Sequence, residues 1–197
     1  MRCLTLVGGW PSSGKSTLCD AFAQDNKATV HYDKDVVTSV LAESLLEQHG
    51  CLVSDRESRI YMNHVRPHEY QQLDQMCSKS LQLGKHVIVS APFHDEFSGE
   101  SNLLPQSTQI ASNVLRIWVD CHKDTLWLRL THRNAYRDNY KVKHFSAYYE
   151  SCVKARELII PDVVISNHGD CIKDALRLFS SSITEFHQQR QRLSRAT

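Results

Sequence analysis

Between Gly8 and Leu18 the chain reads GGWPSSGKSTL, in which Gly9, Gly14, Lys15 and Ser16 stand at the spacing G-x-x-x-x-G-K-[ST]. In such a loop successive backbone N–H groups converge on one point and enclose a polyphosphate. Each residue type has a chemical reason to be there. The glycines allow conformations and a close approach that a Cβ obstructs. Lysine can bridge β- and γ-phosphates, and the serine hydroxyl can ligate Mg²⁺. A helix opening near Lys15 adds its positive dipole end. A glycine-rich turn without a ligand has a similar composition. Chance supplies the full pattern in roughly one chain in a hundred of this length, and placement between strand and helix makes that rarer.

Asp33-Lys34-Asp35 follows a β-prone run, ATVHYD. Two carboxylates one residue apart at a strand end can point in different directions, one toward the water shell of Mg²⁺ and the other toward an acceptor hydroxyl. The same residues also suit a solvated turn, with Asp capping the next helix. Arg129, Arg133 and Arg137 recur every fourth residue. On a continuous helix Arg133 and Arg137 prolong the stripe of Leu126 and Leu130 and point over the edge of a sheet, although a basic exposed helix end is the plainer alternative. Arg56, Arg59 and Arg66, with Tyr61, His64, His68 and Tyr70, form a second polar group. Trp10 is expected to pack on a base or a lid, or only to cover the loop.

The elements that must hold these residues alternate. CLTLV reads as a strand, Lys15 to Gln24 as a helix, Ala28 to Asp33 as a strand, and Val36, Val37, Val40, Leu41 and Leu45 as one face of a helix ending near His49. A short helix is expected within Ser54–His64. Another opens at Pro67 and is stopped by Gly84. HVIVSA and VLRIWV are strands separated by a variable segment, and Leu126 and Leu130 mark a further helix. A polar insertion, NAYRDNYKVKHF, precedes a helix over Tyr148–Leu158, a strand DVVIS, a helix over Ile172–Phe186 and a basic tail after Gln188. Alternation of this kind indicates an α/β three-layer sandwich with a parallel sheet, and its ligands gather at the carboxyl ends of the strands.

Composition narrows the classes. The 197 residues, 41% hydrophobic and 23% charged, fit one folded domain spanning residues 1–197. A net charge of +1 gives no global field favouring nucleic acid or an anionic membrane. The seven cysteines include no C-x-x-C pair and are odd in number, so reduced, mostly buried thiols of a cytoplasmic protein are expected. The eleven histidines show no H-x-x-x-H or H-E-x-x-H spacing, and no zinc site is expected from them. The apolar run at the start is too short for a signal peptide or a membrane span.

With these motifs in hand, the chain resembles the small P-loop kinases, a group including shikimate and gluconate kinases, polynucleotide kinases and zeta-toxin-like kinases. DKD, VRPHEY, VSAPF and RLTHRNAYRD are most similar to bacterial proteins labelled AAA-family ATPase or ATP-binding protein. The resemblance implies a kinase-type fold with five parallel strands ordered 2-3-1-4-5, and it sets the DKD strand next to the loop's strand. It implies ATP and Mg²⁺ as ligands, with Gly9, Pro11, Ser12, Ser13, Gly14, Lys15, Ser16, Thr17, Arg129 and Asn167 at the nucleotide. Ser16 and Asp33 fall at the metal, while Asp33, Asp35, Arg59 and Arg66 fall at the acceptor. Lys15, Asp35, Arg133 and Arg137 become catalytic, Asp35 as the base, with a lid at about 134–144 and an acceptor region at about 50–70.

The implied reaction moves the γ-phosphoryl of ATP to a hydroxyl of a small molecule, in a monomer or homodimer without nucleic acid or membrane partners. Two departures keep rivals open. Ser90 stands where many P-loop proteins have an aspartate, which leaves room for a nucleotide-dependent switch with little transfer. Val36, Val37 and Thr38 stand where polynucleotide kinases carry an arginine, which weakens the polynucleotide or nucleotide-sugar kinase alternative.

Overall fold

The computed structural model describes residues 2–168 and 172–195. Cys171 and the Gly169-Asp170 end of the turn after DVVIS lie outside them. Five strands, β1 (Cys3–Gly9), β2 (Thr29–Asp33), β3 (His86–Ser90), β4 (Asn113–Asp120) and β5 (Val163–Ser166), form one parallel sheet in the order β2-β3-β1-β4-β5. The order is the expected one. β2, however, pairs with β3, so one strand separates Asp33 from the loop's strand, correcting the expected adjacency.

Every residue of β1 is buried, as a central parallel strand covered on both faces requires. On one face α1 (Lys15–Asp25) and α9 (Ile172–Arg195) pack Leu18, Phe22, Phe179 and Ile183 against Val7, Ile88 and Ile117. On the other, α3 (Arg66–Gln82), α6 (Lys123–Arg133) and α8 (Phe145–Arg156) contribute Leu73, Leu81, Leu126, Leu130 and Cys152 to a core with Leu4, Leu6 and Trp118. Crossover helices of this kind leave all strand ends on one edge, where β1, β2 and β3 deliver Gly9, Asp33 and Ser90.

Several elements differ from expectation. α2 (Lys34–Gln48) buries Lys34, Thr38, Ala42 and Leu46, whereas Val36 and Val40 are 75% and 79% exposed. The apolar face read from the valines yields because a polar network sets the helix register. Lys34 pairs with buried Glu69 at 3.0 Å, and Thr38 and Tyr61 donate to the same carboxylate at 2.8 and 2.7 Å. Loss of Glu69 would strand a buried ammonium, a defect worth about 3–5 kcal/mol.

A π-helical turn, Tyr61–Val65, runs directly into α3. Pro67 has no N–H to continue an α-helical ladder, and a wide turn before it accommodates that gap. The variable segment after β3 holds α4 (His94–Ser98) and α5 (Pro105–Ile110), the latter fixed by Asp74 accepting from the backbone of Gln106 and Ser107. The polar insertion is helical too, with a 3-10 turn at Tyr136–Asp138 and α7 (Asn139–Lys143). α9 continues through the expected tail to Arg195. Among the described residues no helix is long and apolar enough to cross a membrane.

Candidate active site

The loop after β1 is shaped by its glycines. Gly14 has φ +95°, and a Cβ there would stand 2.2 Å from Nδ2 of Asn167; one at Gly9, φ +149°, would stand 2.5 Å from the Val119 carbonyl oxygen. The loop is braced from behind. Asn167 Nδ2 donates to the Ser13 carbonyl at 2.7 Å, and Arg129 Nη1 donates to the same oxygen at 3.1 Å. Lys15 Nζ donates to the carbonyls of Gly9 and Trp10 at 2.8 and 2.7 Å. Burial pushes its pKa down to about 8, against the pull of Asp35 and Asp33. The hydroxyls of Ser12 and Ser13 are buried without a partner.

Asp33 serves two purposes. Its Oδ1 accepts from the backbone of Asp35 (2.9 Å) and Val36 (3.3 Å), capping α2. A cap is worth about 1 kcal/mol and uses one oxygen. The other, Oδ2, receives the hydroxyls of Ser16 and, at 3.2 Å, Ser90. Ser90, in register with Asp33, therefore holds a carboxylate supplied by the neighbouring strand where an aspartate of its own is missing.

Two cavities meet here. The first, about 460 Å³, is lined by Pro11, Ser12 and Gly14 to Thr17, with Asp33, Arg129 and Asn167. Gly9 and Ser13 lie behind it, shaping the loop. The second, about 250 Å³, is lined by Lys34, Arg56, Arg66, His94 and Lys141. Pro11, Asp35, Pro92, Arg133 and Arg137 line both. Asp35, whose side chain is 44% exposed, sits 3.2 Å from Arg137 Nη2 and 3.4 Å from Lys34 Nζ. Burial raises its pKa, but Lys34, Arg137 and Lys15 outweigh burial and hold the carboxyl below its ordinary range.

The three arginines converge without sharing a helix. α6 ends at Arg133, Asn134 takes a left-handed conformation (φ 44°), and Arg137 lies on the 3-10 turn. The continuous helix expected through Arg137 is thereby corrected: asparagine tolerates that conformation and stops α6. The segment expected to form a lid is held by three ion pairs, Arg133 with buried Asp138, Arg137 with Asp35, and Lys141 with Glu57 at 2.5 Å.

Of the expected acceptor residues, Arg66 reaches the second cavity, paired with Asp95 at 2.8 Å. Arg59 does not: it is exposed and lines neither cavity, because Tyr61 and Val65 take the inward positions of the turn. Arg56 takes its place, stacked 5.3 Å over Tyr61 with its Nη1 buried and unpartnered. Sequence reasoning also missed Lys34, Lys141 and His94. Glu69 on the inward stripe of α3 was the one signal for Lys34, and no spacing marks the other two. His94 packs 4.7 Å from Trp10, and burial followed by the charge of Lys15 pushes its pKa down to about 4. Trp10 itself is core, 4% exposed and edge-on to Trp118.

The family described as AAA domain matches residues 4–152. The chain belongs to it. No curated protein matches the sequence. Among solved structures, a shikimate kinase from Bacteroides thetaiotaomicron is similar with a TM-score of 0.56 at 14% identity, over 94% of this chain and 98% of its own. A sugar kinase from a Janibacter species gives 0.59 at 13%, over 95% of each chain. The shikimate kinase of Aquifex aeolicus gives 0.52 at 13%, over 95% and 99%. At these identities the likeness is one of fold, and this member of the AAA domain family has the P-loop kinase fold.

Proposed function

We propose that this protein transfers the γ-phosphoryl of ATP, with Mg²⁺, to a hydroxyl of a small molecule. The observation that carries this reading is the position of Asp35 at the junction of two cavities, one built around the P-loop and the other lined by polar side chains. A protein that only binds nucleotide has no use for the second cavity.

The loop suits a triphosphate: the Ser12 hydroxyl, in the cavity lining, has no partner, and the glycine-dependent path lets the backbone approach closely. On binding, Lys15 exchanges the carbonyls of Gly9 and Trp10 for phosphate oxygens. Ser16 and Asp33 are hard oxygen donors already in contact, a set suited to Mg²⁺. The metal, when bound, neutralises charge on the phosphates. Asp35, kept ionised by its cationic neighbours, accepts a hydrogen bond from the acceptor hydroxyl and aims it; in a loose transition state aim matters more than base strength. Arg133 and Arg137, facing both cavities, stabilise the group in flight.

Incubation with Mg·ATP and fractionated cell extract, followed by a mass search for metabolites gaining one phosphate, tests the reading. A phosphorylated small molecule that disappears with Lys15→Ala supports it. Tight ATP binding with no acceptor-dependent ADP release would favour a nucleotide switch instead, and phosphorylation of 5′-hydroxyl oligonucleotides alone would favour a polynucleotide kinase.

A further inference from the structure

The opposite edge of the sheet holds a second constellation, drawn from three positions far apart in the chain. Cys3 opens β1 and His86 opens β3. The register pairs Leu4 with Val87, so Cys3 and His86 stand side by side one step earlier and their side chains leave the sheet on the same face. That face carries α9. Ile183 of α9 is buried against Val7 and Ile88, and His187 follows one turn later on the same stripe.

The ligand atoms of Cys3, His86 and His187 all lie within 4.8 Å of one another. Cys3 is 1% exposed. Nδ1 of His86 and Nε2 of His187 are both buried and have no hydrogen-bond partner, while their rings stack at 4.4 Å. Two buried nitrogens without partners beside a buried thiol are a costly arrangement for a core and an apt one for a cation.

We propose that Cys3, His86 and His187 form a zinc site that clasps α9 to the amino-terminal edge of the sheet. One thiolate and two imidazoles are the ligand types that borderline-soft Zn²⁺ selects over Mg²⁺, and small side-chain rotations bring three such atoms to coordination distance. The thiol proton leaves to solvent as the metal binds. The two histidines line a groove of about 420 Å³, which gives a water molecule room to serve as fourth ligand. β1 spans seven residues, about 20 Å, so this site is separate from the Mg²⁺ position at the P-loop and its role is structural.

The test uses tag-free full-length protein stripped with a chelator and titrated with Co²⁺ as a spectroscopic probe. The expected result is one equivalent bound, with the intense visible bands of a tetrahedral site and a thiolate-to-cobalt charge-transfer band. Zn²⁺ should displace both, excess Mg²⁺ should not, and Zn²⁺ should raise the melting temperature. Cys3→Ser should abolish the charge-transfer band, and His187→Gln should weaken Co²⁺ binding at least about tenfold. His187→Gln, at a half-buried position of α9, also serves if Cys3→Ser fails to fold. Absence of stoichiometric binding at micromolar metal, or cobalt bands unchanged in folded His187→Gln, would overturn the site.

Discussion

The two cavities at the carboxyl edge treat their charges in opposite ways. Around the P-loop, Lys15 and Arg129 rest on backbone carbonyls, and among the described residues neither has a carboxylate partner. In the second cavity almost every cation is already matched: Lys34 with Glu69, Arg66 with Asp95 and Lys141 with Glu57, and, at the wall shared with the first, Arg133 with Asp138 and Arg137 with Asp35. Arg56 is the exception among the described residues. On the proposed reading the first cavity takes a polyanion of high charge, and the second a ligand chosen by shape and a few directed hydrogen bonds. Asp35 belongs to both.

The sharpest way to break this contrast is Lys15→Ala. Phosphoryl transfer should fall by about 10³ or more with the far-UV spectrum and melting temperature nearly unchanged, since Lys15 contacts only loop carbonyls. Retained transfer would remove the lysine from the chemistry. Asp35→Asn should lower kcat on the order of 10²–10³-fold while leaving ATP affinity within a few-fold, because in the proposed role its carboxylate aims the acceptor hydroxyl. An equal loss in ATP binding would place Asp35 on the nucleotide side alone.

In the second cavity, Arg56→Ala should raise KM for the acceptor roughly ten- to a hundredfold with little change in kcat, the pattern of a lost charged hydrogen bond in the ground state. Arg59→Ala, on the exposed side of the same segment, should change neither constant more than about twofold. The smallest effect is one of pH. Burial lowers the Lys15 pKa to about 8, and in the proposed complex the triphosphate takes the charged ammonium. Affinity should hold steady below about pH 8 and fall about tenfold from pH 7 to pH 9. Lys15→Arg, charged throughout, should flatten that limb.

The same contrast explains what could be read in the chain. The P-loop is written in one stretch because its function resides in backbone geometry, and Gly9, Gly14 and Lys15 specify that locally. The layers also follow from apolar runs alternating with helical stripes, whereas the strand order comes from the family resemblance. The second cavity is assembled by long-range packing from segments around Lys34, Arg56, Arg66, His94, Arg133 and Lys141, and no spacing links them. Arg59 and Arg56 are indistinguishable as letters, and only the folded chain shows that Arg56 faces the cavity while Arg59 is exposed. Val36 and Val40 mislead for a related reason, since one buried Lys34–Glu69 pair overrides an apolar stripe. Cys3, His86 and His187 escape any motif search because the sheet register and α9 bring them together.

In the proposed function the P-loop grips a triphosphate, Lys15 exchanging loop carbonyls for phosphate oxygens. Calorimetric titration of the folded protein with Mg²⁺ and a non-hydrolysable ATP analogue tests this most directly. Saturable heat at one site per chain, weakened at least about a hundredfold in Lys15→Ala, is the predicted result. No saturation by the folded wild-type protein with any purine triphosphate would contradict it.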